Sequence, residues 1–176
     1  MLSRRHVRIK VLQAVYAFFQ SGGDDLVRGE KQLLQSIDKL YDLYVYQLAL
    51  MVKITDFAAN RIEEARKKYF PTQEDLNPNT RFIDNAFIKQ LDENKELRRR
   101  KDKLKISWVD DNNMLLKIYN DIRELSEYTS YMADSEPSYK KDKEVWMAIL
   151  LQVLANSDFL RNYFEDKSIV WRLCHS

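Results

Sequence analysis

The chain has 176 residues, with 29 Lys plus Arg against 27 Asp plus Glu, three Gly, three Pro and one Cys. Gly and Pro fall far below the roughly 12% of an average chain, and 45% apolar content with 12% aromatics can furnish a core, which argues against disorder, collagen-like repeats and an all-β fold. The expectation is an all-α protein, a helical bundle with one or more long helices. The lone Cys174 excludes an intrachain disulfide framework and a Cys-built zinc site, and suits a reducing, cytoplasmic setting.

The longest uncharged runs, Val11–Gly23 and Val145–Ser157, have 13 residues each, short of the roughly 20 that span a bilayer, so no membrane association is expected. Ser3, Arg4 and Arg5 before an apolar stretch look like the start of a twin-arginine export signal. Arg8 and Lys10 push charge into that stretch, Gln13 and Tyr16 interrupt it, and no A-x-A-like site follows, so export is not expected.

In chain order, Val7, Val11, Ala14, Val15 and Phe18 recur at steps of three and four, predicting a helix over 3–20 with Ser3 as N-cap and Gly22 just past its end. Its apolar arc is widened by Leu12, Tyr16 and Phe19, while His6, Lys10, Gln13 and Gln20 share the remaining sector. Leu26–Phe70 contains no proline and keeps helical spacing, as one very long helix or two in tandem. Pro71 and Pro78 bracket a break over Phe70–Thr80. Helical spacing resumes over Phe82–Lys105, and Ile106–Trp108 reads as a connection. Asp110 or Asp111 is positioned to cap a helix carrying Met114, Leu115, Ile118, Ile122 and Leu125, and Ser135–Ser138 punctuates the chain. Lys140–Ala155 is the next helix, and Ser157 is positioned to cap a short one through Phe164.

Much chemistry is excluded by residue type. The histidines, His6 and His175, lie near opposite ends, so neither H-E-x-x-H nor a Glu-x-x-His iron motif can be written. Glycine stands only at 22, 23 and 29, which rules out the glycine-rich phosphate loops. Glu63/Glu64 and Asp110/Asp111 are adjacent pairs that a helix would point about 100° apart, unsuited to act on one substrate. The expectation is no catalytic residues, no metal and no cofactor.

Charge is unevenly placed. Arg4, Arg5, Arg8 and Lys10 precede the first acid, Asp24, making the opening segment +4 and the remainder about −2. Cations at a helix N-terminus oppose the macrodipole, so their rationale is sought in binding. Guanidinium groups suit phosphates, and the ring of Tyr16 suits an unpaired base. The denser run Arg98–Lys101 with Lys103 and Lys105 lies beside Asp92, Glu93, Glu96 and Asp102, and reads as a solvated face before a nucleic-acid patch. Tyr41, Tyr44, Tyr46 and Phe57 read as core and interface.

The segment Arg4-Arg5-His6-Val7-Arg8-Ile9-Lys10-Val11-Leu12-Gln13-Ala14-Val15-Tyr16 resembles the opening helix of the NusB family of transcription antitermination factors. Trp146, Leu150, Val153, Asn156 and Leu160 resemble that family's third helix in spacing. About a hundred residues separate the two, where short family members have few. The resemblance therefore implies a long form: NusB-like N-terminal helices over 1–40, a helical insertion over 41–143, and a third-helix segment over 144–176. The family's C-terminal half has no counterpart, which implies the N-terminal part of a longer protein, with exposed core faces open to self-association.

The resemblance further implies an RNA-binding antitermination and elongation factor without catalytic activity. It would act on a single-stranded element of ribosomal RNA leader transcripts, with a small-subunit ribosomal protein, in the RNA polymerase elongation complex. Arg4, Arg5 and Arg8 match the family's RNA-contacting arginines, with Gln13 and Tyr16 as further candidates; His6 stands where another basic residue is common, and Lys10 is additional. The competing expectation is a helical protein–protein scaffold with no RNA role.

Overall fold

A computed structural model describes residues 4–20, 22, 25–108 and 112–167, with the side chains of residues 6 and 165–167 excepted. Among the described residues the secondary structure is all helical, with no strand. The helices are α1 (Arg4–Gln20), α2 (Leu26–Arg66), α3 (Gln73–Leu76), α4 (Ala86–Glu93), α5 (Lys95–Leu104), α6 (Asn112–Glu124), α7 (Ser126–Ala133), α8 (Tyr139–Ile149), continued by a π-helical turn over Leu150–Leu154, and α9 (Asp158–Lys167). The chain divides into two compact units, one formed by Met1–Val45 and Arg161–Ser176, the other by Tyr46–Leu160.

In the first unit, α1 ends as its residues predict, with Gly22 in the left-handed region at φ 60° and its N–H donating to the Phe19 carbonyl, the conformation that glycine adopts without steric cost. The expected cap Ser3 lies outside the described residues. Asp25 starts α2: its carboxylate accepts from the Arg28 N–H at 3.0 Å, placing a negative charge at the positive helix end. The two helices meet closely at Gly29, where a Cβ would stand 3.0 Å from Phe18. Of the two readings of Leu26–Phe70, one very long helix or two in tandem, the structure has the first: α2 is continuous and ends at Arg66, with Lys67–Phe70 in turn and bend.

The second unit holds a well-packed core. Leu50 and Ile54 of α2, Leu115 and Ile122 of α6, and Trp146 and Ile149 of α8 are fully enclosed. Phe82 lies at their centre, stacked on Trp146 with ring centroids 5.2 Å apart and flanked edge-on by Tyr128 at 5.3 Å. Tyr46 meets Trp108, and Phe57 meets Tyr119, so Tyr46 and Phe57 pack on the core, whereas Tyr44, expected with them, is exposed. Trp108, in the expected connection Ile106–Trp108, is itself buried.

The single helix expected over Phe82–Lys105 is two. Asn85 caps α4, accepting from the Ile88 N–H, and Asn94 caps α5, accepting from the Leu97 N–H. Each asparagine side chain satisfies an orphan donor, and Asn94 at the same time closes α4. Phe82 accordingly sits in a turn, and short α7 follows α6 through an extended Leu125. The expected cap of α6, Asp110 or Asp111, lies outside the described residues.

Candidate nucleic-acid interface

α1 carries four of its expected site residues outward. On a helix of 100° per residue, Arg4, Arg8, Arg5 and Tyr16 occupy one sector about 120° wide. All four are exposed, Tyr16 by 64%. None of the three arginines has an ion-pair partner among the described residues, and α1 contains no acid. The sector is therefore a band of unneutralised guanidinium groups followed, two turns on, by an open aromatic ring.

Two other candidates face elsewhere. Lys10 is only 6% exposed, on the opposite side of α1 from the arginines, so it is not available as a surface phosphate contact. Gln13 is half-buried. For His6 the backbone lies within α1 and the side chain is outside the described residues.

The outward sector also inverts the expected amphipathicity. Leu12 and Phe19, which periodicity assigns to the packed arc, are 70% and 76% exposed. Val15, Phe18, Phe19, Leu26 and Leu33 line an apolar cavity of about 470 Å³ between α1 and the start of α2.

In the second unit, reasoning from residue types missed a buried polar network. Asp142 accepts from the Ala86 N–H at 2.8 Å and from the Tyr131 hydroxyl at 2.7 Å. Asn85 Nδ2 donates to the Asp142 carbonyl at 3.0 Å and to the Tyr131 oxygen at 3.2 Å. Burial, then the hydrogen bond to Asp142, pushes the Tyr131 phenol up to about 12. Arg81 lies over the Tyr131 ring at 4.6 Å and donates to the carbonyls of Asp134 and Glu136. The network ties the 79–85 segment to α7 and α8 and satisfies polar groups that would otherwise be costly to bury. The polar pair Asp84-Asn85 between apolar Phe82-Ile83 and Ala86-Phe87-Ile88 carries no signature that distinguishes such a network from surface.

Among the described residues, no group of three or more His, Cys, Asp or Glu could hold a metal ion, and no helix is long and apolar enough to cross a membrane. Part of the second basic run is neutralised as expected, Arg98 by Asp92 at 3.0 Å and Arg99 by Glu96 at 2.8 Å.

Comparison with known proteins identifies no relative: no family model, curated protein or solved structure matches the chain.

Proposed function

We propose that this chain is a non-catalytic RNA-binding protein that holds single-stranded RNA on the outward sector of α1. The observation that carries this reading is the convergence of Arg4, Arg5, Arg8 and Tyr16 on one exposed face without a neutralising acid on the helix. Guanidinium groups bind phosphate oxygens through paired donors, and a tyrosine ring stacks on an unpaired base. The likeness of the first helix and of the Trp146–Leu160 spacing to the NusB family supports the finer role. That role is an antitermination and elongation factor in the cytoplasm, acting on ribosomal RNA leader transcripts with a small-subunit ribosomal protein and RNA polymerase.

Replacing Arg4, Arg5 and Arg8 together by Ala tests the reading. The variant should keep its helical circular dichroism and lose most of its affinity for a labelled leader-type oligonucleotide; unchanged affinity would defeat the assignment.

A second reading, a helical protein–protein scaffold, is favoured by the apolar cavity of Val15, Phe18, Phe19, Leu26 and Leu33. Salt-insensitive binding of a protein partner, with no RNA retention, would select it.

A further inference from the structure

We propose that the outward face of α5 is a second contact surface for the RNA backbone, separate from α1 and sequence-independent. Residues 95–105 carry seven bases and two acids. On α5, Leu97 is buried and Leu104, Arg100 and Lys101 are half-buried, which fixes the inward side. The remaining side chains, Lys95, Arg98, Arg99, Lys103 and Lys105 with Glu96 and Asp102, are exposed. Arg98 and Arg99 are occupied by Asp92 and Glu96. Lys95, Lys103 and Lys105 have no ion-pair partner among the described residues, so even with exposed Asp102 this short helix presents a surplus of positive charge.

Two of these lysines stand where stability alone would not place them. Lys95 is the first residue of α5, at the positive end of the helix dipole. Lys105 closes the helix in the left-handed conformation, φ 51° and ψ 43°, the one non-glycine residue at positive φ among the described residues. Glycine is the residue that this position favours. Backbone held in a sparsely populated region, as at Lys105, clusters at functional sites.

The chemistry of the face suits a phosphate backbone. Lys95 and Lys103 stand eight residues apart within a sector of about 80° on α5, about 12 Å along the axis, a spacing that can reach separate phosphates of one strand. No exposed apolar or aromatic side chain lies on α5. A tight protein partner would need such anchors; an anionic lipid surface would attract the same lysines by charge, and the RNA-binding reading of α1 is what favours a nucleic-acid backbone here. Phosphate neutralisation needs charge alone.

This inference rests on the RNA-binding reading for its choice of ligand, but its site is independent of α1. The test uses the full chain with Lys95, Lys103 and Lys105 replaced by Gln, alone and combined with the Arg4/Arg5/Arg8 to Ala changes. A labelled unstructured oligonucleotide is titrated at several salt concentrations. Weak salt-sensitive binding should persist in the arginine variant and vanish in the combined variant. In the wild-type background the lysine changes should flatten the slope of log K against log salt by about 2, for three phosphates on a single strand.

Lys105→Gly should raise the Tm while lowering RNA affinity, which a purely structural lysine would not do. Unchanged affinity and slope on removing the lysines would overturn the proposal, whatever the arginines do. Loss on removing the lysines with no effect of the arginines would retain α5 and reject α1. Sedimentation with phosphatidylserine vesicles that depends on the lysines, without RNA binding, would also overturn it.

Discussion

Arg8 and Lys10, two residues apart on α1, face opposite sides of the helix: the Arg8 guanidinium is exposed, and the Lys10 side chain is buried at 6%. Two residues turn a helix through about 200°, so a uniformly basic sequence becomes a one-sided charge. Lys10→Met should leave RNA affinity and its salt dependence unchanged, whereas Arg8→Ala should weaken binding several-fold. Parallel anisotropy titrations of the two variants check this; equal losses would show that Lys10 reaches the ligand.

The stacked pair Phe82 and Trp146 anchors the core of the second unit. Phe82→Ala should cost about 3–5 kcal/mol, the usual range for emptying a buried aromatic site. Urea unfolding should register it as a lower midpoint with little change in m. A cost below 1 kcal/mol would mean that the 79–85 segment is not packed as described.

Tyr131→Phe removes the hydroxyl that donates to Asp142 and accepts from Asn85. Leaving the Asp142 carboxylate oxygen and one Asn85 N–H without their partner should destabilise by about 1–3 kcal/mol. Asn85→Ala removes both the α4 cap and a network donor, so the two changes should be non-additive in a double-mutant cycle. Strict additivity would contradict a shared network.

Acid should weaken the second unit in a defined way. The Lys141 ammonium beside Asp134, helped by the Glu136 N–H, holds that carboxyl below its ordinary range, as Lys89 does for Asp84. A depressed carboxyl contributes stability that is present above its unfolded value and lost as pH falls through the folded one. Asp134→Asn should therefore flatten the loss of Tm on acidification below the ordinary carboxylate range. At the alkaline end the sign reverses: with the Tyr131 phenol at about 12 against an ordinary 10.0, stability should fall as pH rises through that interval. Tyr131→Phe should remove this component of the alkaline slope.

Helix positions were legible where spacing and punctuation agreed, as at Gly22 and over α2, because period and breaker residues act locally. Phe82–Lys105 was misread because Asn85 and Asn94 keep apolar spacing intact while their side chains cap new helices. The two readings differ only in a side-chain hydrogen bond. Within α1, the arginine sector was legible from charge order, but the burial of Lys10 and the exposure of Leu12 and Phe19 were not. Periodicity identifies faces without saying which one packs. The Asn85–Tyr131–Asp142 network was illegible because it joins residues up to 57 positions apart.

The most direct measurement is fluorescence anisotropy of a single-stranded leader-type oligonucleotide with wild type and the Arg4/Arg5/Arg8 to Ala variant across a salt series. The α1 contact predicts that the variant loses most of the affinity and that its slope is shallower than wild type by about 2, for three single-strand phosphates. Equal affinities and equal slopes for the two proteins would contradict an RNA-binding α1.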